Sequence, residues 1–178
     1  MKKGYKIAFI GTHGTGKTTI AHQLVYELKK RGVNADFSEE IARRCPLPIN
    51  ETASSDTQKW ILGRQVTEET EKSYGCDVLV CDRSVLDTYS YQVSLQGRNI
   101  SWEEFIKDHL KTYDLLIKVP VKKREIKRDG KRSTNQKFQL DVEENIETNL
   151  NLFKPDYIIY SGEETIENIC NKYLKKIP

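Results

Sequence analysis

The sequence predicts a three-layer α/β fold with a central parallel sheet of about five strands. Strand and helix patterns alternate along the whole chain of 178 residues. The strand segments are continuously apolar, which is typical of parallel strands that are covered on both faces. A glycine-rich turn at residues 11–18 joins the first strand to the first helix. Because strand–helix–strand crossovers are right-handed, these elements are expected to place helices on both faces of the sheet.

The five predicted strands are short. They cover residues 5–10, 34–38, 76–81, 113–119 and 156–160, and Pro120 ends the fourth. In a parallel sheet, the carboxyl ends of all these strands meet at one edge, so residues that follow them are brought together.

Helices are predicted between the strands. The first covers residues 19–28, with Ile20, Leu24, Val25 and Leu28 on one face, and Gly32 closes it. Capping-box patterns predict further helix starts at Ser55, for a helix that runs toward residue 74, and at Ser101. The last helix has the most regular apolar spacing, at Ile166, Ile169, Cys170, Tyr173, Leu174 and Ile177.

Composition places limits on the class of protein. The length fits one domain over residues 1–178, and a net charge of +3 does not by itself indicate a nucleic-acid partner. The four cysteines form no C-x-x-C pair, and Cys81 and Cys170 are expected in the core. Free thiols favour a cytoplasmic location. Neither a signal peptide nor a membrane partner is expected, since the chain has no long apolar run.

Residues 11–18 form a complete G-x-x-x-x-G-K-[ST] phosphate-binding loop, or P-loop. Glycines let successive N–H groups point at phosphate oxygens, and the following helix N-terminus favours anions. Lys17 is expected to reach the β- and γ-phosphates, and Thr18 to ligate Mg²⁺. The alternative is a chance glycine-rich turn, which the strand before it and the helix after it disfavour. The predicted nucleotide-binding residues are Gly11, Thr12, His13, Gly14, Thr15, Gly16, Lys17, Thr18 and Thr19.

Residues 78–82 form an apolar strand that ends in Asp82, which is the Walker-B pattern. A carboxylate at the carboxyl edge of a parallel sheet, next to a P-loop, can hold Mg²⁺ directly or through water. Asp82 is therefore the second candidate for the metal site. The alternative is that it only caps the next helix.

With these motifs, the chain resembles the P-loop nucleoside and nucleotide monophosphate kinases. The P-loop, Asp82-Arg83-Ser84 and a basic segment after the fourth strand carry the likeness. The chain is more similar still to small AAA-type ATP-binding proteins related to nicotinamide riboside kinase. That likeness rests on Glu40-Ile41-Ala42-Arg43, on Gln65, and on Asp129-Gly130-Lys131-Arg132 followed by Phe138. It covers nearly the whole chain and implies a P-loop NTPase fold with ATP- and Mg²⁺-dependent phosphoryl transfer to a small acceptor.

The resemblance also implies roles on the acceptor side. Glu40 would act as general base or as the partner of acceptor hydroxyls, with a solvated residue at a helix start as the alternative. Arg83 would contact the acceptor or hold the transferring phosphoryl group. Arg43 and Gln65 would complete the acceptor site, although Arg43 is also explained by plain surface charge. Trp60 is expected in the core rather than stacked on a base.

A basic segment follows the fourth strand, over residues 122–132. In one interpretation it belongs to a kinase lid at about residues 122–137, which would bring Arg124 and Arg128 over the phosphates. Both arginines would then bind ATP, and Arg128 would also be catalytic. The alternatives are a nucleic-acid patch and a solvated loop. The lid is favoured because the segment follows the fourth strand, at the same sheet edge as the P-loop. The absence of interleaved aromatic residues also weighs against binding of single-stranded nucleic acid.

Three functions compete. The leading one is a P-loop kinase that acts on a small-molecule acceptor. The others are an ATP-binding or ATP-hydrolysing regulatory module that acts through a partner, and a kinase of nucleic-acid 5′ ends. No N-K-x-D motif supports a GTPase, and the predicted elements do not include the helical lid domain expected of an oligomeric AAA+ motor. The sequence does not define the acceptor, and it is compatible with a homodimer.

Overall fold

A computed structural model describes residues 3–121, 130–131 and 133–174. Its sheet contains five strands: Tyr5–Ile10 (β1), Ala35–Ser38 (β2), Val78–Asp82 (β3), Leu115–Lys118 (β4) and Tyr157–Ile159 (β5). They lie in the order β2-β3-β1-β4-β5, and every neighbouring pair is parallel. The predicted parallel α/β sheet is thus confirmed, with strand limits that differ from the prediction by no more than two residues.

In the described residues, six α-helices connect and cover these strands. They are Lys17–Lys30 (α1), Ser55–Ser73 (α2), Val85–Gln96 (α3), Ile100–Leu110 (α4), Gln136–Phe153 (α5) and Glu163–Leu174 (α6). Two short 3₁₀ helices, Ile41–Arg44 and Asn50–Thr52, lie between β2 and α2.

The apolar core lies in two layers, one on each face of the sheet. Along β1, Ile7 and Phe9 pack with α1 and α6, whereas Ala8 and Ile10 pack with α2, α3, α4 and α5. This alternation follows from the two-residue period of a strand. Three layers result, and β1 at the centre is covered from both sides.

Two helix starts differ from the prediction. The helix predicted to be capped at Ser55 is capped by Ser54, whose hydroxyl accepts the N–H of Thr57 and whose N–H donates to the Thr57 hydroxyl. The helix predicted to start at Ser101 begins at Ile100, because the side chain of Asn99 accepts the N–H of Trp102. Neighbouring Ser and Asn side chains cap equally well, so local sequence did not define which one is used.

The carboxyl end of β1 holds the P-loop close to the sheet. Gly11 has φ +145°, and a Cβ atom at this position would lie 2.7 Å from the carbonyl oxygen of Val119. Glycine is therefore required for the loop to pass this close to the chain that follows β4. In the sheet, β2 and β3 lie on one side of β1, whereas β4 and β5 lie on the other. Open α/β sheets bind their ligands at the point where successive strands switch from one side to the other.

The cysteines and the last helix agree with the prediction where they are described. All four cysteines are free and buried, and Cys81 and Cys170 belong to the core. Ile166, Ile169 and Cys170 of α6 are buried, while the side chains of residues 173, 174 and 177 lie outside the described part. Within the described ranges, no helix has the length and apolarity needed to cross a bilayer.

Candidate active site

The P-loop ends at the first turn of α1. Gly14 and Gly16 have φ values of 78° and 97°, and Gly16 occupies the N-cap position of α1. These left-handed conformations are accessible mainly to glycine, and they let the backbone curl at the helix N-terminus. A curled backbone at a helix N-terminus is the kind of geometry that favours anion binding.

Lys17 is buried inside the loop. Its Nζ donates to the carbonyl oxygen of Thr12 at 2.6 Å and to the Thr15 hydroxyl at 3.3 Å. Burial, together with the positive charge of Arg83, lowers the pKa of Lys17 to about 8. The ammonium group is therefore mostly protonated at neutral pH and carries its charge in a poorly solvated position.

Thr18 and Asp82 meet at the edge of the sheet. The Thr18 hydroxyl donates to Asp82 Oδ2 at 2.6 Å, and burial raises the pKa of Asp82. In the described residues, no group of three His, Cys, Asp or Glu side chains could hold a metal. Mg²⁺ in phosphoryl-transfer sites typically uses only one or two carboxylates and completes its shell with phosphate oxygens and water. This oxygen pair fits such an ion. The alternative that Asp82 caps α3 does not apply, because Ser84 caps it.

Arg83 turns its side chain into the cleft from a strained backbone. Its φ is 99°, an unusual value for a residue with a Cβ atom. The guanidinium donates from Nε to Glu40 Oε1 at 2.6 Å and lies 4.9 Å from the ring centroid of Tyr91. Burial alone would lower the pKa of Arg83, but the charge of Glu40 contributes to holding it well above its usual range. Arg83 is a fixed cation.

Glu40 follows β2 and is held by two arginines. Besides Arg83, its carboxylate accepts from Nε of Arg43 at 3.0 Å. Burial favours the neutral acid, yet the charges of Arg83 and Lys17 outweigh it and lower the pKa of Glu40 to about 2. Glu40 precedes the 3₁₀ helix Ile41–Arg44, as the alternative expects, but its side chain is largely buried rather than solvated. Its carboxylate is ionised throughout the neutral range.

One cleft of about 210 Å³ contains both groups of residues. Its lining includes Lys17, Thr18 and Asp82 on one side, and Glu40, Arg43, Gln65 and Arg83 on the other. Every predicted site residue on the acceptor side therefore lines the cleft. Apolar side chains complete the wall, among them Ile41, Ile49 and Ile61. Trp60 is half-buried and packs beside Ile41, Cys45 and Ile61, in agreement with its predicted position in the core.

His13 is held between the P-loop and aromatic side chains. Its Nδ1 lies 2.8 Å from the Tyr91 hydroxyl, and its ring lies 5.8 Å from that of Phe138. Burial, with the charges of Arg83 and Lys17, lowers the pKa of His13 to about 4. The ring is neutral at pH 7 and can neither bind phosphate as a cation nor repel Lys17.

Three residues that support the P-loop were missed by the sequence analysis. Asp87 accepts the N–H of Gly11 at 2.9 Å and the N–H of Ser84 at 2.8 Å. From α5, Gln139 donates to the carbonyl oxygen of His13 at 2.6 Å, and Glu143 accepts the N–H of Thr12 at 3.3 Å. The S-x-x-D spacing of Ser84 and Asp87 is a capping-box pattern that could have identified Asp87. No local pattern distinguishes Gln139 or Glu143.

The predicted lid is described only in part. Arg124 and Arg128 lie outside the described residues, so their roles stay predictions. Lys131 lines the cleft, its carbonyl oxygen accepts from Asn50 Nδ2 at 2.8 Å, and Phe138 packs in the core at the start of α5.

Fold and site together define a P-loop protein with a three-layer α/β fold. The chain belongs to the AAA domain family AAA_28, whose model matches residues 6–167. No curated protein sequence matches the chain significantly.

Solved structures with the same fold include two kinases. Thymidylate kinase from Ehrlichia chaffeensis is similar with a TM-score of 0.64 and 17% identity, covering 99% of this chain and 100% of that one. Deoxyadenosine kinase from M. mycoides with bound dATP gives a TM-score of 0.66 and 19% identity, covering 94% of this chain and 98% of that one. At these identities the likeness establishes the fold.

Proposed function

We propose that this protein is a Mg²⁺- and ATP-dependent kinase that phosphorylates a small nucleoside- or nucleotide-like acceptor. One observation carries the proposal. The Glu40–Arg83 ion pair lies in the same cleft as the P-loop residue Lys17 and the Thr18–Asp82 pair. A phosphate-binding side and a carboxylate–guanidinium side thus face one cavity, as transfer between two bound molecules requires.

The donor side supports ATP and Mg²⁺. Lys17 and the loop amides would hold the β- and γ-phosphates, and Thr18 and Asp82 would hold Mg²⁺. The bound ion would neutralise charge on the phosphate oxygens. Because Lys17 is buried, its charge acts with little solvent screening where charge is spread over the transferring group.

The acceptor side supports a molecule with a hydroxyl or phosphate oxygen. Glu40 would accept a hydrogen bond from an acceptor hydroxyl and fix its direction toward the γ-phosphate. Its low pKa makes it a weak base, which is sufficient because a loose transition state needs little proton transfer early on. Arg83 would bind the transferring group in the fork geometry of a guanidinium.

The kinases of similar fold support the class of acceptor. One is named a thymidylate kinase and the other a deoxyadenosine kinase, so a nucleoside monophosphate and a nucleoside are both acceptors to test here.

The proposal is tested by ADP release from Mg-ATP with a panel of nucleosides, nucleoside monophosphates and short oligonucleotides. Acceptor-dependent ADP release with a small molecule supports it. Equal ADP release with and without every acceptor contradicts it and favours an ATP-hydrolysing module. Oligonucleotides that far outperform free nucleosides favour a 5′-end kinase.

A matched pair of variants sharpens this test. Glu40→Gln should reduce acceptor-dependent ADP release by about 10²-fold or more, as for removal of a general acid–base group. Glu39→Gln is the control, because Glu39 lines the same cleft but pairs with Arg44 instead. It should keep most of the activity.

A further inference from the structure

Glu69, on the inner face of α2, is a fully buried carboxylate with four donors. Its Oε1 accepts from Gln65 Nε2 and from the Tyr113 hydroxyl, each at 2.9 Å. Its Oε2 accepts from Lys6 Nζ at 2.9 Å and lies 3.2 Å from His109 Nε2. Of these residues, only Gln65 lines the cleft.

This network keeps Glu69 ionised. Burial would raise the pKa of Glu69, but the hydrogen bond from His109 and the charge of Lys6 outweigh it and lower the pKa. An ionised carboxylate accepts hydrogen bonds and donates none. Any group that faces Glu69 must therefore be a donor.

The Gln65 amide has only one orientation that satisfies its neighbours. Its Nε2 faces Glu69 Oε1, and the same nitrogen lies 3.5 Å from the carbonyl oxygen of Arg83. Its Oε1 accepts from the Thr88 hydroxyl at 2.8 Å. A flipped amide would set its oxygen against the Glu69 carboxylate, and a buried pair of acceptors is costly.

We propose that Glu69 is a positioning residue that fixes the hydrogen-bonding polarity of Gln65 toward the acceptor. The nitrogen and the oxygen of the Gln65 amide then each have a fixed partner. Oε1 keeps one lone pair that can accept a further hydrogen bond. Thr88 also lines the cleft. Because its hydroxyl donates its proton to Gln65 Oε1, it can only accept a hydrogen bond from a ligand. This part of the wall therefore accepts hydrogen bonds.

The ligand that fits this wall carries N–H donors on its edge. Resting on the proposed kinase function, the inference specifies the acceptor as a nucleoside or nucleotide whose base bears an exocyclic amino group. Adenine and cytosine present such a donor at the position where hypoxanthine and uracil present an oxygen. An oxygen there would meet the oxygens of Gln65 and Thr88.

The experiment compares kcat/KM for amino and oxo partners: adenosine with inosine and cytidine with uridine, as ribo- and deoxyribonucleosides and as their monophosphates. The wild-type protein is expected to prefer the amino member of its best pair by about tenfold or more, the effect of one unsatisfied buried group. Glu69→Gln lets the Gln65 amide turn either way. It should bring the ratio close to one, mainly through KM.

Tyr113→Phe is the matched control. It removes a donor from Glu69 Oε1 and leaves in place Lys6, His109 and the contact of Oε1 with Gln65. The amino-to-oxo ratio should stay within about twofold of the wild-type ratio. Since both variants remove a hydrogen bond from Glu69, a general loss of packing would affect them alike.

If Glu69→Gln does not fold, Lys6→Met combined with Glu69→Gln removes both buried charges together, which costs less than leaving one unpaired. A folded Glu69 variant that keeps the wild-type ratio overturns the inference, and so does a wild-type preference for the oxo member. In both cases phosphoryl transfer itself is retained. If no nucleoside or nucleotide is phosphorylated, the proposed function fails and this inference fails with it.

Discussion

Arg83 donates from its Nε to the Glu40 carboxylate at 2.6 Å, and this ion pair joins the residue after β3 to the segment after β2. Both side chains are largely removed from solvent, with exposed fractions of 10% and 16%. A buried pair holds its partners in one geometry, while loss of one partner leaves an uncompensated charge. Loss of either partner is therefore expected to destabilise the cleft.

The low pKa of Glu40 predicts how this destabilisation changes with pH. A carboxyl group whose pKa falls on folding, here to about 2, stabilises the protein above its unfolded value and loses this effect as pH falls through its folded value. Glu40→Gln should therefore be clearly less stable than wild type at pH 7, and the difference should shrink as the pH falls from about 4 toward 2. Urea unfolding at several pH values measures it. An unchanged difference between pH 7 and the acid end would show that the Glu40 charge is not the source.

Asp82 and Glu40 are expected to differ in their effect on nucleotide binding. Asp82→Asn should weaken binding of Mg-ATP, because the neutral amide is a poorer partner for Mg²⁺. Glu40→Gln should leave Mg-ATP binding nearly unchanged and reduce transfer only. The measurement is the increase in Tm that saturating Mg-ATP causes, with each variant compared with itself in the absence of nucleotide. Equal loss of the shift in both variants would contradict the division of the cleft into two sides.

Asp87 is expected to stabilise the P-loop through its contact with Gly11. Asp87→Asn replaces one acceptor oxygen by a donor that faces an N–H or O–H group, so it should cost about 1–3 kcal/mol of unfolding free energy. ATP affinity should fall as well. Asp56→Asn is the control, because Asp56 is exposed in the first turn of α2. Similar unfolding free energies for the two variants would refute the role of Asp87.

The basic segment gives a prediction that rests on sequence alone. If Arg128 belongs to a lid, Arg128→Ala should reduce turnover by roughly 10³-fold, the lower end for an arginine that stabilises a transferring phosphate. Replacement of Lys122 and Lys123 should matter little. Graded, similar losses at each lysine, with steeply salt-dependent oligonucleotide binding, would indicate a nucleic-acid patch instead.

The parts of the fold and site that sequence predicted are those with a local cause. Residues 11–18 and Asp82 follow apolar strands directly, and all strands of a parallel sheet end at one edge. Their meeting therefore follows from chain order. Helix starts were less well predicted, since Ser54 and Ser55 have the same intrinsic capping preference.

The missed residues act through contacts that no local pattern encodes. In the sequence, Glu69 is one of several charged residues on an amphipathic helix. Its burial depends on contacts with Lys6 and His109, which are far away in the chain. Gln139 and Glu143 reach the P-loop only because α5 packs beside α3. Such tertiary contacts override the usual expectation that charged side chains lie at the surface.

Transfer of label from γ-³²P-ATP tests the central claim most directly. In the presence of Mg²⁺ and the acceptor that gives the most ADP release, we expect the label on the acceptor, with one acceptor phosphorylated per ADP formed. Lys17→Ala, which should keep the fold, is expected to reduce this transfer by about 10²-fold or more, as for removal of a preorganised group that stabilises the transition state. Label found only in inorganic phosphate, whatever acceptor is present, would contradict the account.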